Sequence, residues 1–208
     1  MLEKLEELDQ QLFLFLNSLH SEWLDVLMYW ITYKYTWYPV YVLLIILVVS
    51  RYRWKGALIM LSVVISVGLA DQLTSGFMKP YFGRLRPCHD PDIGHLINVV
   101  AGCGGRFGFA SSHASTTFAL ATSLWLLLKD WSSWFAWGFL WAAIVAYSRI
   151  HVGVHYPSDI LVGALGGIVV GWITVQLHLW LTTRIYGEPI SSKSLQRYKQ
   201  ISENSAGK

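Results

Sequence analysis

The sequence predicts a polytopic bundle of five to six transmembrane helices. Of its 208 residues, 14% are charged and 54% are hydrophobic, whereas an ordinary soluble domain carries about 25% charged residues. The charges are also unevenly placed, because five long apolar segments together contain a single charged residue, Asp71. This composition excludes a soluble domain, a disordered tail and a disulfide-knotted secreted peptide. The chain is therefore expected to be an integral membrane protein.

The five predicted spans differ in how easily they reach across a bilayer. A membrane-crossing helix needs roughly 17–25 mostly apolar residues, and residues 56–78 and 160–183 satisfy this outright. Residues 112–128 and 131–147 are at the short limit, and residues 36–50 need their flanks. All five are expected to be helical, because only helices and closed barrels span membranes.

The N-terminal region is harder to assign. Residues 12–33 form a sixth candidate span, but they contain Asn17, His20, Glu22 and Asp25, which are costly to bury in lipid. A clean span and an interfacial or bundle-packed helix both remain open. The first eleven residues favour a short amphipathic helix with leucines on one face, and their acidic start indicates no cleavable signal peptide.

The expected organisation has three parts. Residues 1–22 form an amphipathic or interfacial helix, residues 23–183 form the transmembrane domain, and residues 184–208 form a polar basic tail. Residues 79–111 and 148–159 are expected to be long loops. Loops of the first segment's length tend to be functional.

Lysine and arginine in short loops predict the orientation in the membrane. Residues 51–55, Arg-Tyr-Arg-Trp-Lys, and the tail with Arg184, Lys193, Arg197, Lys199 and Lys208 fall on one side, which we place in the cytoplasm. The two long loops then lie outside the cytoplasm. The protein is expected in the inner (plasma) membrane, with these loops on its periplasmic or extracytoplasmic side. Cys88 and Cys103 are both in the first loop, where they could form a disulfide or remain two buried thiols.

Three clusters of polar residues are predicted to lie on that same extracytoplasmic side. They cover residues 79–87, 110–113 and 148–159, and they combine cations, imidazoles, hydroxyls and a carboxylate. Arginine and lysine bind phosphate oxygens, and a helix N-terminus favours anions. Asp159 follows His155 by four residues, so the carboxylate can fix the tautomer of the imidazole on one helical face. The clusters together indicate phosphoryl transfer that needs no metal or other cofactor, since no metal-binding motif is present.

The clusters resemble the three-part signature of the type 2 phosphatidic acid phosphatase superfamily, which includes lipid phosphatases, acid phosphatases and vanadium haloperoxidases. The matching residues are Lys79-x6-Arg86-Pro87, Ser111-x-His113 and Ser148-Arg149-x5-His155-x3-Asp159. The second motif departs from the family, whose Pro-Ser-Gly-His reads Ala110-Ser111-Ser112-His113 here. The resemblance implies an all-α fold like that of the acid phosphatases and haloperoxidases.

The resemblance also implies a role for each signature residue. His155 would be the nucleophile that forms a phosphohistidine, Asp159 would orient it, and His113 would protonate the leaving oxygen and then activate water. The phosphate oxygens would be held by Lys79, Arg86, Arg149, Ser111 and the backbone near Ser112. Arg84 and His151 are outside the signature and are assigned possible headgroup contacts, and Asp71 is assigned a helix–helix hydrogen bond.

The substrate expected from this resemblance is a lipid phosphate or diphosphate. Undecaprenyl diphosphate, phosphatidylglycerophosphate, phosphatidic acid and lipid A are not distinguished by the sequence. The partners expected are this lipid and the bilayer, with no nucleic acid and no obligate protein partner. The alternative is a small anion or phospholipid transporter or channel, which would need polar groups along its spans, where only Asp71, Gln176 and His178 are available.

Overall fold

The computed structural model describes residues 2–194, without the side chain of Leu2, and this part of the chain is helical and contains no β-strand. The all-α prediction is therefore confirmed for these residues. The helices are α1 (Leu2–Ser18), α2 (Glu22–Thr32), α3 (Tyr38–Asp71), α4 (Lys79–Phe82), α5 (Ser112–Leu128), α6 (Trp137–His151) and α7 (Pro157–Tyr186). α5 is central, with contacts to α3, α6 and α7.

Helix α3 is two helical arms joined by a reversal. Arg53 has φ 55° and ψ −136°, which is not helical. A Cβ atom added at Gly56 would collide with the carbonyl oxygen of Val48. In one straight helix, residues 48 and 56 would be about 12 Å apart. The arms, residues 38–52 and 54–71, therefore fold back on each other, and the turn falls inside the predicted 51–55 loop. A wide π turn at Gln72–Met78 then continues the second arm into α4.

Two helical segments in residues 2–194 are long and apolar enough to cross a membrane, Lys34–Phe82 and Pro157–Tyr186. The first contains the reversal at Arg53. α5 and α6 have 17 and 15 residues, which is at or below the lower limit for a crossing. The count of five to six spans stays a prediction.

The N-terminal region is two helices instead of one sixth span. α1 ends at Ser18 and α2 begins at Glu22. Neither helix is among the segments that are long and apolar enough to cross a membrane. Two of the polar residues that made this span costly have hydrogen-bond partners at the break. Asn17 donates to the carbonyl of His151 at 2.8 Å, and Asp25 accepts from the Asn98 side chain at 3.0 Å.

The two predicted loops are shorter or more ordered than expected. α6 continues to His151 and α7 begins at Pro157, so most of the predicted 148–159 loop is helical. The long 79–111 segment begins with α4 and is closed by a disulfide between Cys88 and Cys103. The disulfide decides between the two alternatives that the sequence left open.

The start of the tail is packed instead of solvated. α7 ends at Tyr186 and is capped by Gly187, which has φ 76°. Ile190 then packs fully buried against the cluster that contains Val48 and Leu127. Its carbonyl is 2.8 Å from His178 Nε2. Arg197, Lys199 and Lys208 of the predicted basic tail lie outside the described residues.

Candidate active site

The three polar clusters meet at one cavity with a volume of about 380 Å³. Six of the eight predicted site residues line it: Lys79, Arg86, Ser112, His113, Arg149 and His155. The other two, Ser111 and Asp159, are fully buried directly behind it. Segments separated by more than twenty residues in the chain are therefore brought together by the fold.

Close packing of α5 against α7 brings two of the clusters together. A Cβ atom added at Gly163, Gly167 or Gly171 would be 3.0 Å or less from backbone carbonyl oxygens of α5 or of its N-cap. The carbonyls belong to Ser111, Ser115 and Ala119, so both series advance by four residues. The two helices are therefore parallel, and glycine allows their backbones to approach closely. Both helices begin at the cavity.

His155 and Asp159 form a buried pair at the start of α7. The Nδ1 atom of His155 is 3.2 Å from Oδ2 of Asp159, and the same oxygen accepts the Tyr156 backbone N–H at 3.1 Å. With Nδ1 bonded to the carboxylate, Nε2 is the ring nitrogen left for a ligand in the cavity. This is the arrangement expected for a nucleophilic imidazole held in one tautomer.

The cavity is strongly cationic. Lys34, Lys79, Arg86 and Arg149 line it against one carboxylate, Asp71. Burial, followed by the positive charges of Arg149, Arg86 and Lys79, holds the pKa of His155 well below its ordinary value. His155 is therefore neutral at neutral pH and keeps a lone pair for attack.

The cations are held in place by hydrogen bonds that leave donors available. Lys79 Nζ donates to Ser112 Oγ at 2.8 Å. Arg149 Nη1 donates to Thr32 Oγ1 at 2.6 Å, while its Nε is buried and has no hydrogen-bond partner among the described residues. Arg86 is anchored on the carbonyls of Cys103 and Phe107 at 3.0 and 3.3 Å. A buried, unpaired guanidinium N–H is costly without an acceptor, and a phosphate oxygen would be one.

The family model for the PAP2 superfamily matches residues 55–183, more than half of the chain and all three clusters. The chain belongs to the PAP2 superfamily. The relationship inferred from the three motifs is thereby confirmed.

Several proteins are similar to this PAP2 chain over most of its length. A lipid A 4′-phosphatase of Bacteroides thetaiotaomicron is 37% identical over 93% of this chain and 87% of its own. A lipid A 4′-phosphatase of Porphyromonas gingivalis is 34% identical over 89% of this chain and 79% of its own. An undecaprenyl-diphosphatase of Sulfolobus acidocaldarius is 30% identical over 70% of this chain and 65% of its own. This PAP2 protein is accordingly a lipid phosphatase, and the transporter alternative is set aside.

The PAP2 fold is also that of solved structures. Aquifex aeolicus LpxE matches with a TM-score of 0.59 at 26% identity, over 81% of this chain and 95% of its own. The phosphatidylglycerolphosphate phosphatase of Bacillus subtilis matches with a TM-score of 0.61 at 21% identity, over 84% of this chain and 86% of its own. The second likeness shows the fold alone.

Ser111 is buried behind the cavity and has a structural role. It is the N-cap of α5, and its hydroxyl accepts from the Ala114 N–H at 3.5 Å. Its own N–H donates to the carbonyl of Asp159 at 3.0 Å. Ser111 thus joins the starts of α5 and α7 in this PAP2 structure, and its contact with phosphate stays a prediction.

Three residues outside the signature differ from their expected roles. Arg84 is bound to Asp159 and to Asp9 of α1, and buried His151 is 2.7 Å from Asp25 of α2. Neither residue is a free headgroup contact. Asp71 lines the cavity and accepts from Ser75, four residues further along the chain, at 3.1 Å, so its hydrogen bond is local instead of between helices.

One wall of the cavity was not predicted from the sequence, and it is contributed by α2, α3 and the turn between them. Thr32, Trp37, Tyr38 and Tyr41 line the cavity. The run of aromatic residues at 33–41 was a usable signal, since tyrosine and tryptophan concentrate at membrane interfaces.

Two apolar grooves adjoin the cavity of this PAP2 protein. One has a volume of about 210 Å³, lies between the two arms of α3 and α5, and shares Tyr41, Thr116 and Thr117 with the cavity. The other has a volume of about 310 Å³, lies between the first arm of α3, α5 and α6, and shares Trp37 and Tyr41 with it. Tyr41 thus lies where the polar cavity and the two apolar grooves meet.

Proposed function

We propose that this protein removes a phosphate from a lipid A-type glycolipid, without a metal, through a phosphohistidine intermediate at the extracytoplasmic membrane surface. The observation that carries the proposed chemistry is the His155–Asp159 pair behind a cationic cavity. The proposed substrate is supported by the two lipid A 4′-phosphatases that match 93% and 89% of the chain.

The first chemical step transfers the phosphoryl group to His155. Its Nε2 lone pair attacks phosphorus while the bond between phosphorus and the lipid oxygen breaks. His113 donates a proton to that oxygen, so the dephosphorylated lipid leaves as an alcohol. Asp159 stabilises the positive charge that the imidazole acquires, and Lys79, Arg86 and Arg149 stabilise the charge on the phosphoryl oxygens.

The second step returns the enzyme to its starting state. His113, now neutral, accepts a proton from water, and the water oxygen attacks the phosphorus of phosphohistidine. The nitrogen–phosphorus bond breaks, inorganic phosphate leaves, and His155 again carries its lone pair. The proton taken from water returns His113 to the protonated state in which it started, so water is the only reactant consumed besides the lipid.

The grooves at Tyr41 support a lipid substrate. Their walls are almost entirely hydrophobic, with Leu44 and Leu120 common to both. Acyl chains can lie against such walls without exposing hydrocarbon to water. A phosphate in the cavity and hydrocarbon in the grooves would match a lipid phosphate held at the membrane surface.

The substrate is tested by phosphate release from a panel of lipids. Purified protein in detergent, with EDTA present, is expected to hydrolyse lipid A faster than undecaprenyl diphosphate, phosphatidylglycerophosphate or phosphatidic acid. Inhibition by orthovanadate is expected as well, because vanadate mimics a five-coordinate phosphoryl group. An absolute requirement for added Mg²⁺ would contradict the mechanism, and faster turnover of another lipid would replace the substrate assigned here.

The proposed sidedness is supported by charge and by the disulfide. Arg51, Arg53 and Lys55 lie at the α3 reversal, opposite the end of α3 that leads to the cavity, and positive charge favours the cytoplasmic side. Disulfides persist in oxidising compartments, and the Cys88–Cys103 disulfide lies in the segment that carries Arg86. Both observations favour a cavity that opens outside the cytoplasm.

Cysteine labelling in intact cells tests this topology. Single cysteines are placed at the exposed positions Arg53 and Asp92 in a background lacking Cys88 and Cys103. A membrane-impermeant thiol reagent is expected to modify position 92 alone, and both positions after the cells are lysed. Modification of position 53 but not position 92 in intact cells would place the site in the cytoplasm.

A further inference from the structure

The catalytic carboxylate of Asp159 is held on both of its oxygens. Oδ2 contacts His155 and the Tyr156 N–H, whereas Oδ1 accepts from Arg84 Nη1 at 3.1 Å. Asp159 is fully buried. The carboxylate therefore cannot rotate about its last bond without breaking the contact with Arg84.

Arg84 is itself held by the N-terminal helix. Its Nη2 donates to Asp9 Oδ2 at 2.7 Å, and Asp9 also accepts from the backbone N–H of Ser158 at 2.9 Å. The guanidinium lies over the ring of Tyr156, 4.1 Å from its centroid. Burial alone would lower the pKa of Arg84, but the charges of Asp159 and Asp9 raise it above its ordinary value. Arg84 is thus a permanent cation between two carboxylates.

Helix α1 has one face on the protein and another face uncovered. Asp9, Phe13 and Asn17, spaced by four residues, face inward: Phe13 packs edge-on against Tyr156, and Asn17 bonds the His151 carbonyl. Leucines and Phe15 make up the uncovered face, which comprises Leu5, Leu8, Leu12 and Phe15. An uncovered apolar face of this kind suits the membrane interface. All of α1 precedes residue 55, where the family match begins.

We infer that Arg84 and Asp9 are positioning residues for catalysis, through which α1 fixes the orientation of Asp159 and hence of His155. The inference rests on the proposed phosphohistidine mechanism. Neither residue lines the cavity, so both would act on the rate through the Asp159 carboxylate and not on phosphate binding.

The test compares kcat and KM for Arg84→Gln, Arg84→Lys and Asp9→Asn, using the panel lipid that the wild-type enzyme hydrolyses fastest. Arg84→Gln is expected to lower kcat roughly 10- to 100-fold, because small errors in the position of a catalytic group have effects of that size. KM is expected to stay within about threefold, since substrate contacts are unchanged. Arg84→Lys, which keeps the charge, is expected to recover part of the loss.

Matched controls are available on the same segments. Arg106→Gln removes an exposed arginine of the loop that contains Arg84, and Glu6→Gln removes an exposed acid of α1. Both are expected to retain wild-type kcat. Added guanidinium is expected to restore turnover to an Arg84→Ala variant, because the arginine side chain is 25% exposed and leaves an accessible space. A variant that was only misfolded would not respond to guanidinium.

A double-substitution cycle tests whether the pair acts as a unit. The Asp9→Asn, Arg84→Gln protein is expected to be no slower than Arg84→Gln alone, because interacting residues give non-additive effects. Unchanged kcat in both single variants, or a rise confined to KM, would overturn the inference. Asp159→Asn distinguishes failure of the proposed mechanism from failure of this inference. If Asp159→Asn retains full turnover, the proposed mechanism is wrong. If Asp159→Asn is slow but Arg84→Gln is as fast as wild type, only this inference is wrong.

Discussion

Alanine in place of His155 is expected to abolish phosphate release, with kcat reduced by at least about a thousandfold, the scale seen when a nucleophile is removed. The lone pair on Nε2 is the group proposed to attack phosphorus, and within residues 2–194 no second histidine is paired with Asp159. Phosphate release from the preferred lipid in detergent measures the effect. His95→Ala is the matched control, because His95 is an exposed histidine of the 79–111 segment that carries Arg86, and it is expected to keep full activity.

Trapping of the intermediate separates loss of the nucleophile from loss of binding. Wild-type enzyme quenched during turnover of ³²P-labelled lipid is expected to carry label that is stable to alkali and released by acid, as a phosphoramidate is. His155→Ala is expected to carry none while still binding the lipid. A His155→Ala enzyme that retains more than a few per cent of turnover would refute the assignment of the nucleophile.

The second large effect is expected from a single methyl group at Gly167. A Cβ atom there would overlap the carbonyl oxygen of Ser115, which is backbone and cannot move aside as a side chain can. α5 and α7 would have to separate, at a cost of about 3 kcal/mol for overpacking. Thermal unfolding in detergent is expected to occur roughly 6–12 °C lower, with activity reduced because both helices begin at the cavity.

Gly68→Ala is the matched control for this substitution. Gly68 is also in a helix, and a Cβ added there meets no atom within 4 Å. Alanine has the higher helix propensity by about 1 kcal/mol, so the unfolding temperature is expected to be unchanged or slightly higher. Equal unfolding temperatures for Gly167→Ala and wild type would show that the close approach of α5 and α7 is not tight in solution.

The sequence was sufficient to predict six of the residues that line the cavity. His155 and Asp159 are one helical turn apart, so their contact depends only on local geometry. Convergence of the other clusters followed from the order of the apolar segments, because alternate ends of successive spans meet at one membrane surface. The side-chain positions of Ser111 and Asp71 did not follow, since each depends on which face of a helix is turned toward its neighbour.

The contacts of the N-terminal helices could not be predicted. Asp9 and Arg84 are 75 residues apart, and His151 and Asp25 are 126 apart. Neither pair belongs to a motif or a periodic pattern. The break between α1 and α2 at residues 19–21 could not be predicted either. Polar residues that are costly in lipid are stable when a neighbouring helix supplies hydrogen-bond partners, and the sequence did not indicate that neighbour.

The two grooves that meet at Tyr41 are not enclosed by the bundle. Residues on their rims, including Val40, Val64 and Trp137, are more than half exposed on the outer surface. Hydrocarbon held there would remain continuous with the surrounding bilayer, so a lipid could arrive and depart by lateral diffusion without entering water. For such an enzyme, the quantity that sets the rate is the mole fraction of substrate in the membrane. Diluting the substrate with inert lipid would slow turnover, whereas diluting the whole suspension with buffer would not.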